Sequence, residues 1–191
     1  MNNIDVAFAR FENGIIGGIY ELIYQSNVNT AKIIVETWAR NVSQAMINYK
    51  DYYKPKVHTP NEPYMQESGT LLNAVKFVVD IYNNKKILIY LDFDDSIEPR
   101  TKESTITVFE RLTYGVTTEK INIPARPVFY DILDGINIPK CLVLAWSNAK
   151  SKDFNRGFAT GLNSGGRIPY YGNQKLIAKF ADYKTGAIRW L

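Results

Sequence analysis

Residues 76–93, KFVVDIYNNKKILIYLDF, decide the fold class of this chain. Two runs, 76–82 and 86–93, are rich in β-branched and aromatic residues, which favour strands. The three residues between them predict a hairpin loop in which an asparagine adopts the left-handed conformation. With Tyr82 opposite Lys86, one face of the hairpin is entirely apolar, and it carries Phe77, Val79, Ile81, Ile87, Ile89 and Leu91.

A long amphipathic helix is predicted upstream, over residues 31–49. Its apolar residues recur at intervals of 4, 3, 4, 3 and 4, which is the periodicity of a single helical stripe. Asn29 or Thr30 is suited to cap its first turn. We expect this stripe to pack on the apolar face of the hairpin, which gives an α+β fold with an antiparallel sheet. The stripe consists of Ala31, Val35, Trp38, Val42, Ala45 and Tyr49.

Shorter elements are predicted after the hairpin. Residues 105–112 and 141–147 have the composition of strands. A helix is expected over 127–134, with Pro127 as its first residue and Gly135 in the left-handed position that follows a helix.

The chain changes character beyond residue 148. Residues 148–173 are rich in Gly, Asn and Ser without periodicity, which predicts an extended C-terminal arm. The last segment fits a helix over 174–184 or a terminal pair of strands. We therefore divide the chain into an N-terminal segment (1–29), an α+β domain (30–147) and a C-terminal extension (148–191).

Composition excludes several classes of protein. The chain has 191 residues, of which 46% are hydrophobic and 22% charged, as is ordinary for a globular protein. No apolar run approaches the length of a membrane span, and the start MNNIDVAFAR lacks the pattern of a secretory signal. The single cysteine, Cys141, excludes an intramolecular disulfide, and we expect it to be a buried thiol. No membrane partner is expected.

Charge is distributed unevenly along the chain. The net charge is +4, but the extension carries +6 and the rest of the chain −2. The local acidic cluster formed by Asp92, Asp94, Asp95 and Glu98 offers a partner for the basic extension of a neighbouring identical subunit. The alternative is that these charges are merely solvated. The basic residues expected at such an interface are Arg156, Arg167, Lys179 and Arg189.

The same extension also fits a nucleic-acid interface. Its basic residues alternate with aromatic residues, the combination that single-strand binders use for stacking and for neutralising phosphates. Aromatic residues are equally enriched in protein interfaces. The aromatic residues concerned are Phe154, Phe158, Tyr170, Tyr171, Phe180, Tyr183 and Trp190.

Catalytic chemistry has few candidates. His58 is the only histidine, and a triad of His58, Ser68 and a carboxylate lacks the nucleophile elbow that would support it. The acidic cluster could bind a divalent cation, although a polar strand edge explains it as well. The glycine strings GGI at 17–19 and SGGR at 164–167 lack the pattern of a phosphate loop and predict flexibility. We expect no catalytic residue, no cofactor and no metal site.

Three short motifs follow one another in the middle of the chain: QESGTLLNAV at 66–75, TVFERLTYGVTT at 107–118 and INIPARPVF at 121–129. In this order they resemble the phage head-to-tail joining and tail-completion family, whose members form the neck of the virion. The residues that carry the resemblance are Ser68, Gly69, Leu71, Glu110, Tyr114, Gly115, Pro124, Arg126 and Pro127.

The resemblance implies a structural virion protein and no turnover. Identical subunits would form a ring between the portal or adaptor protein and the tail or tail-terminator proteins. The sheets would build a collar around the channel, in transient contact with the packaged double-stranded DNA. Assembly would take place in the host cytoplasm, and the protein would reside in the neck of the finished virion.

Overall fold

The computed structural model of the chain describes residues 3–47, 70–82, 86–97, 102–118, 122–123, 125, 128–164 and 172–191. In chain order the elements are α1 (Asn3–Ile47), α2 (Thr70–Ala74), β1 (Val75–Tyr82), β2 (Lys86–Phe93), α3 (Thr105–Tyr114), β3 (Val116–Thr117), β4 (Asn122–Ile123), α4 (Val128–Asp134), α5 (Ile138–Ser147), α6 (Ser151–Asn163), β5 (Gln174–Asp182) and β6 (Ala187–Trp190).

Four strands form one antiparallel sheet in the order β2-β1-β5-β6. In the β5-β6 pair, Ala178 lies opposite Trp190 and Phe180 opposite Ile188, with an irregularity between Phe180 and Asp182. β3 and β4 form a separate two-stranded antiparallel sheet. The sheet and the long helix α1 confirm the predicted α+β fold.

The chain divides into two compact units. Unit 1 comprises Met1–Ile34, Val79–Leu88 and Asn137–Lys175, and unit 2 comprises Val35–Val78, Ile89–Ile136 and Leu176–Leu191. The predicted boundary between residues 29 and 30 falls inside the continuous helix α1.

Aromatic side chains form the core of unit 2. Trp38 and Phe77 are fully buried, with ring centroids 5.2 Å apart in an edge-to-face arrangement. Phe77 also packs on Phe180 at 5.4 Å, and Phe109 packs on Phe129 at 5.4 Å. The indole N–H of Trp38 donates a hydrogen bond of 2.9 Å to the carbonyl oxygen of Phe129. Because this bond satisfies the ring's single polar group, the whole side chain contributes apolar burial to the core.

The apolar stripe predicted for the helix is confirmed, and the two predicted strands are neighbours in the sheet. The predicted cap at Asn29 or Thr30 was wrong, because both residues lie inside α1. Five of the six stripe residues are buried in α1, and Tyr49 lies outside the described residues. In β1, Phe77, Val79 and Ile81 are fully buried. β1 ends at Tyr82 and β2 begins at Lys86, so the predicted three-residue connection, 83–85, falls outside the described residues.

The helix predicted over 127–134 is confirmed as α4, Val128–Asp134. Its proposed first residue, Pro127, lies outside the described residues. Gly135 follows the helix, but it is not among the glycines with positive φ, so the expected left-handed position was wrong.

Close contact between glycines joins α1 to α6 in unit 1. A Cβ added to Gly157 would lie 2.3 Å from the carbonyl oxygen of Gly17, and one added to Gly17 would lie 2.4 Å from the carbonyl oxygen of Gly157. One turn further along α6, a Cβ on Gly161 would lie 2.1 Å from the carbonyl oxygen of Asn13. The two helix backbones therefore touch directly, as small residues spaced four apart permit. The glycines at 17 and 18 lie within a continuous helix, and the flexibility predicted for them was wrong.

The strand predicted over 105–112 was wrong, since Thr105–Tyr114 is the helix α3. Ser104 caps it, because its hydroxyl oxygen accepts a 3.2 Å hydrogen bond from the backbone N–H of Thr107. The buried residues Thr105, Phe109 and Thr113 are spaced four apart, which places them on one side of the helix. The β-branched composition concealed this periodicity.

The strand predicted over 141–147 was also wrong, since Ile138–Ser147 is the helix α5. The Asn137 side chain caps it by accepting a 2.9 Å hydrogen bond from the backbone N–H of Lys140, and Pro139 occupies the first turn. Cys141 is buried, as predicted, but in a helix.

The described part of the C-terminal extension is an integral part of the fold and does not form an arm. Ser151–Asn163 is the helix α6, and Gln174–Asp182 is a strand of the sheet. Of the two alternatives for the last segment, the terminal pair of strands is confirmed and the helix over 174–184 was wrong. Gly186 allows the turn between the strands, because its φ is 73° and a Cβ there would lie 2.5 Å from the Cα of Arg40.

Candidate assembly surface

The three sequence motifs fall on different parts of the structure. Leu71 is buried in α2, whereas Glu110 and Tyr114 are exposed on α3. Ala125 is exposed, and Phe129, at the end of the third motif, is buried in the core of unit 2. The motif residues outside the described part of the chain are Ser68, Gly69, Pro124, Arg126 and Pro127, as is His58.

Among the described motif residues, Gly115 is the one whose backbone conformation requires glycine. It ends α3 with φ 74°, a conformation that side chains with a Cβ rarely adopt, and its N–H donates a 2.9 Å hydrogen bond to the carbonyl oxygen of Arg111. A residue with a Cβ would therefore be strained at position 115.

The acidic cluster pairs with lysines of its own chain. The carboxylate of Asp94 accepts hydrogen bonds from the ammonium groups of Lys179 and Lys76, and Asp92 lies 3.8 Å from Lys76. The hydrogen bond from Lys179, followed by that from Lys76, lowers the pKa of Asp94, and the hydrogen bond to Asp94 raises the pKa of Lys76. Asp95 is exposed. The attraction predicted between Asp94 and Lys179 is thus found within one subunit, and a contact between subunits stays a prediction.

Arg156 is similarly paired within its own chain. It binds the carboxylate of Glu21, which is only 4% exposed in α1, and lies 3.6 Å from Asp153. Gln25 donates a further 3.0 Å hydrogen bond to Glu21. Since a buried carboxylate needs such partners, this network supports the crossing of α1 and α6. Arg189 is exposed on β6, and Arg167 lies outside the described residues.

Among the described aromatic residues of the C-terminal extension, Phe180 is buried, and Phe154, Phe158, Tyr183 and Trp190 are half-buried. The ring of Phe158 lies against Gly14 and that of Phe154 against Gly18, where an added Cβ would come within 2.8 Å and 2.5 Å of ring carbons. Phe180 is buried against Phe77. The buried ring of Phe180 is not available for stacking on bases. Tyr170 and Tyr171 lie outside the described residues.

A stripe of large apolar residues is exposed on the first part of α1, and the sequence reasoning missed it. The exposed fraction reaches 63% at Ile4 and 66% at Phe8. The residues are spaced 4, 3, 4 and 4 apart, so one side of the helix carries all of them. The same test that identified the helix over 31–49 would have detected this stripe in the segment 1–29. We call it the α1 stripe, and it consists of Ile4, Phe8, Phe11, Ile15 and Ile19.

Helix α5 has an unusual distribution of side chains, because its small residues face inward and its large apolar residues face outward. Cys141 and Ala145 are buried, whereas Val143 is 65% exposed. A helix that is apolar on its outer surface marks an interaction site. We call this surface the α5 face, and it consists of Ile138, Leu142, Val143, Leu144 and Trp146.

The described residues contain no group of three or more His, Cys, Asp or Glu side chains that could hold a metal ion. Within the same part of the chain, no helix is both long enough and apolar enough to cross a membrane.

No protein-family model matches this chain, and no curated protein and no solved structure is significantly similar to it. The exposed apolar faces of α1 and α5 are therefore the features on which a functional argument from the structure rests.

Proposed function

We propose that this protein is a structural subunit of a tailed phage, forming a ring in the neck that joins the portal or head-completion proteins to the tail. The order of the three motifs in the sequence supports this proposal. Its mechanism is assembly, in which surfaces of identical subunits bind one another and cyclic symmetry closes the ring around the DNA channel.

The observation that carries the proposal is the exposure of thirteen large apolar side chains on α1 and α5 of unit 1, ten of which form the α1 stripe and the α5 face. Interfaces that form permanently are more apolar than ordinary protein surfaces, and exposed apolar patches mark contact sites. A subunit that works only when assembled is expected to have such faces.

The distribution of charge agrees with assembly through apolar surfaces. In unit 1, Arg156 has the carboxylates of Glu21 and Asp153 beside it, and in unit 2 Lys179 pairs with Asp94. A nucleic-acid-binding surface would instead present unpaired basic groups beside open aromatic rings. Phe180 is buried, and Phe154 and Phe158 pack against glycines of α1, which weakens that alternative.

Assembly is tested by measuring the mass of the purified full-length protein with light scattering and native mass spectrometry. We expect a closed oligomer many times heavier than the 21.8 kDa subunit, formed alone or with the portal or tail partner. A stop codon in the gene should give lysates with filled heads and separate tails, and expression from a plasmid should restore virions. Normal virions without the protein would refute the proposal.

The nucleic-acid alternative predicts a different result. A stable monomer that binds DNA tightly above about 200 mM salt would favour that alternative, since ordinary non-specific binding weakens steeply with salt. We expect weak binding that disappears in this range.

A further inference from the structure

The α1 stripe and the α5 face are two unlike apolar surfaces on the same unit. A ring of more than two subunits needs two different surfaces that bind each other, because each subunit contacts one neighbour with one surface and the next neighbour with the other. A dimer with twofold symmetry needs only one surface that binds its own copy. The presence of two distinct faces is what a ring requires.

The first turns of α1 have little cover from their own chain, although the ring of Phe11 contacts that of Phe158 at 5.8 Å. Every residue from Ile4 to Glu12 is exposed. Isolated helices shorter than about 12 residues are marginal in water, and most of the stability of a helix in a protein comes from packing of its apolar side. Spacings of 3 and 4 fit a helical partner best, because side chains at these intervals insert between those of a facing helix.

Helix α5 has the size and surface to be that partner. Its 10 residues extend for about 15 Å. The α1 stripe, from Ile4 to Ile19, is about 22 Å long, so α5 can cover most of it. Ile138, Leu142 and Trp146 recur every four residues and form an outward ridge along α5.

Charge favours this pairing over the pairing of either face with itself. Asp5 and Glu12 are seven residues apart, which places both carboxylates along one border of the α1 stripe, while Ala7 and Gly14 form the other border. A second α1 stripe would therefore offer these carboxylates no basic partner.

Exposed lysines lie near both ends of α5. Lys140 is in its first turn, and Lys150 and Lys152 follow its end. No acidic residue occurs between Ile136 and Lys152. Two copies of α5 would bring lysines together, whereas α5 against α1 brings lysines to carboxylates.

We propose that the α1 stripe of one subunit docks on the α5 face of the next identical subunit, and that repetition of this contact closes the ring. The inference rests on the proposed function, because it names the surfaces that would hold the ring together. Apolar contact supplies the affinity, and the pairing of Asp5 and Glu12 with the lysines of α5 selects the heterologous arrangement.

The test mixes two variants, each of which lacks one face. Variant A carries Phe8→Asp and Ile15→Asp, and variant B carries Leu142→Asp and Val143→Asp. All four positions are exposed or nearly so, and circular dichroism with thermal melting checks that each variant folds. We expect A and B alone to be monomers and their mixture to give a 1:1 dimer that grows no further, because the intact α1 of B docks on the intact α5 of A.

Other outcomes overturn the inference. Dimers of B alone would show that α1 pairs with α1, and dimers of A alone would show that α5 pairs with α5. Rings in either variant would show that another surface builds the ring, and in that case the proposed function survives. A wild-type chain that stays monomeric with and without its portal and tail partners refutes the proposed function itself.

Two further measurements sharpen the result. Asp5→Lys with Glu12→Lys should weaken assembly at least tenfold, and Lys140→Glu with Lys150→Glu and Lys152→Glu in the same chain should restore it.

A lipid surface is the other occupant an apolar helix could have. We expect no flotation with neutral or anionic phospholipid vesicles, and flotation that is lost in variants A and B would overturn the assignment to a second copy.

Discussion

The two parts of helix α1 have similar apolar periodicity and opposite environments. Between Val35 and Ala45 the apolar residues are buried, and Trp38 packs on Phe77 of the same chain. Between Ile4 and Ile19 they are exposed. Apolar periodicity therefore shows that a helix has a side to cover, but it does not show whether its own chain or another molecule covers that side.

The largest effect is expected from Trp38→Ala, which tests the buried part of α1. The change removes a fully buried ring and its hydrogen bond to the carbonyl oxygen of Phe129. Truncations of buried aromatic residues cost about 3–5 kcal/mol, so the variant should be largely unfolded or strongly destabilised in urea denaturation.

Phe8→Ala is the matched control in the exposed part of α1. It should change the free energy of unfolding of the isolated chain by less than about 0.5 kcal/mol, because the Phe8 side chain is 66% exposed in the monomer. Equal losses in the two variants would show that the two parts of the helix do not differ in the way described.

The second largest effect is expected from Gly157→Leu, which tests the packing of α6 on the part of α1 that carries the α1 stripe. Since a Cβ at this position meets the backbone of Gly17 at 2.3 Å, the helices must separate. We expect a loss of about 1–3 kcal/mol, as in other overpacked interiors, measured by thermal and urea unfolding.

Gly135→Ala is the control for that change, because a Cβ there would have 3.5 Å of clearance to its nearest neighbour, the carbonyl oxygen of Ile132. Gly135→Ala should leave the free energy of unfolding unchanged. A stable Gly157→Leu variant would contradict the direct contact of the two backbones.

Part of the fold was predictable from the sequence because periodicity and burial agree there. The stripe over 31–49 and the hairpin face with Phe77 and Ile81 obey the rule that large apolar residues point inward. Helix α5 breaks that rule, since its inward residues are Cys141 and Ala145, and a run of apolar residues without periodicity was therefore interpreted as a strand. In α3 the β-branched threonines at 105 and 113 likewise led to the prediction of a strand where the structure has a helix.

The candidate surface was less predictable than the fold. The sequence predicted that Asp94 attracts the basic extension of a neighbouring subunit, and the structure shows Asp94 paired with Lys179 of its own chain. Pairing within a chain and pairing between chains look the same in a sequence. The contact of Gly17 with Gly157 joins residues far apart in the chain, so no local pattern reveals it. The exposure of the α1 stripe likewise depends on which side of α1 contacts α6.

A moderate effect is expected from Gly115→Ala, which tests a motif residue in the packed unit 2. Alanine at φ 74° is strained, and such conformations cost about 1–3 kcal/mol, with the smaller value expected here at the end of a helix. Urea denaturation measures the loss. In a phage carrying Gly115→Val, we expect fewer joined heads and tails, and normal virions would count against the resemblance to the neck family.

The smallest effect is expected from Asp94→Asn, which tests how much the ion pairs of unit 2 contribute beside its apolar core. Hydrogen bonds from Lys179 and Lys76 lower the pKa of Asp94 below its ordinary value of 3.8. The pairing therefore stabilises the fold fully above pH 3.8, and this stabilisation is lost as the pH falls through the lower pKa of the folded state. Because the Asp94 side chain is 40% exposed, water and salt screen the pairs, and we expect less than about 1 kcal/mol.

The measurement is the free energy of unfolding of wild type and Asp94→Asn in urea from neutral pH to the acid limit of folding. The two curves should differ near neutral pH and converge in acid, and high salt should reduce the difference. Asp95→Asn is the control, because it removes the same charge from the adjacent exposed position and should leave the wild-type curve nearly unchanged. A difference that grows in acid would contradict the direction of the pKa shift. A difference comparable with that of Trp38→Ala would mean that charge, and not the aromatic core, distinguishes the buried part of the molecule from the exposed part.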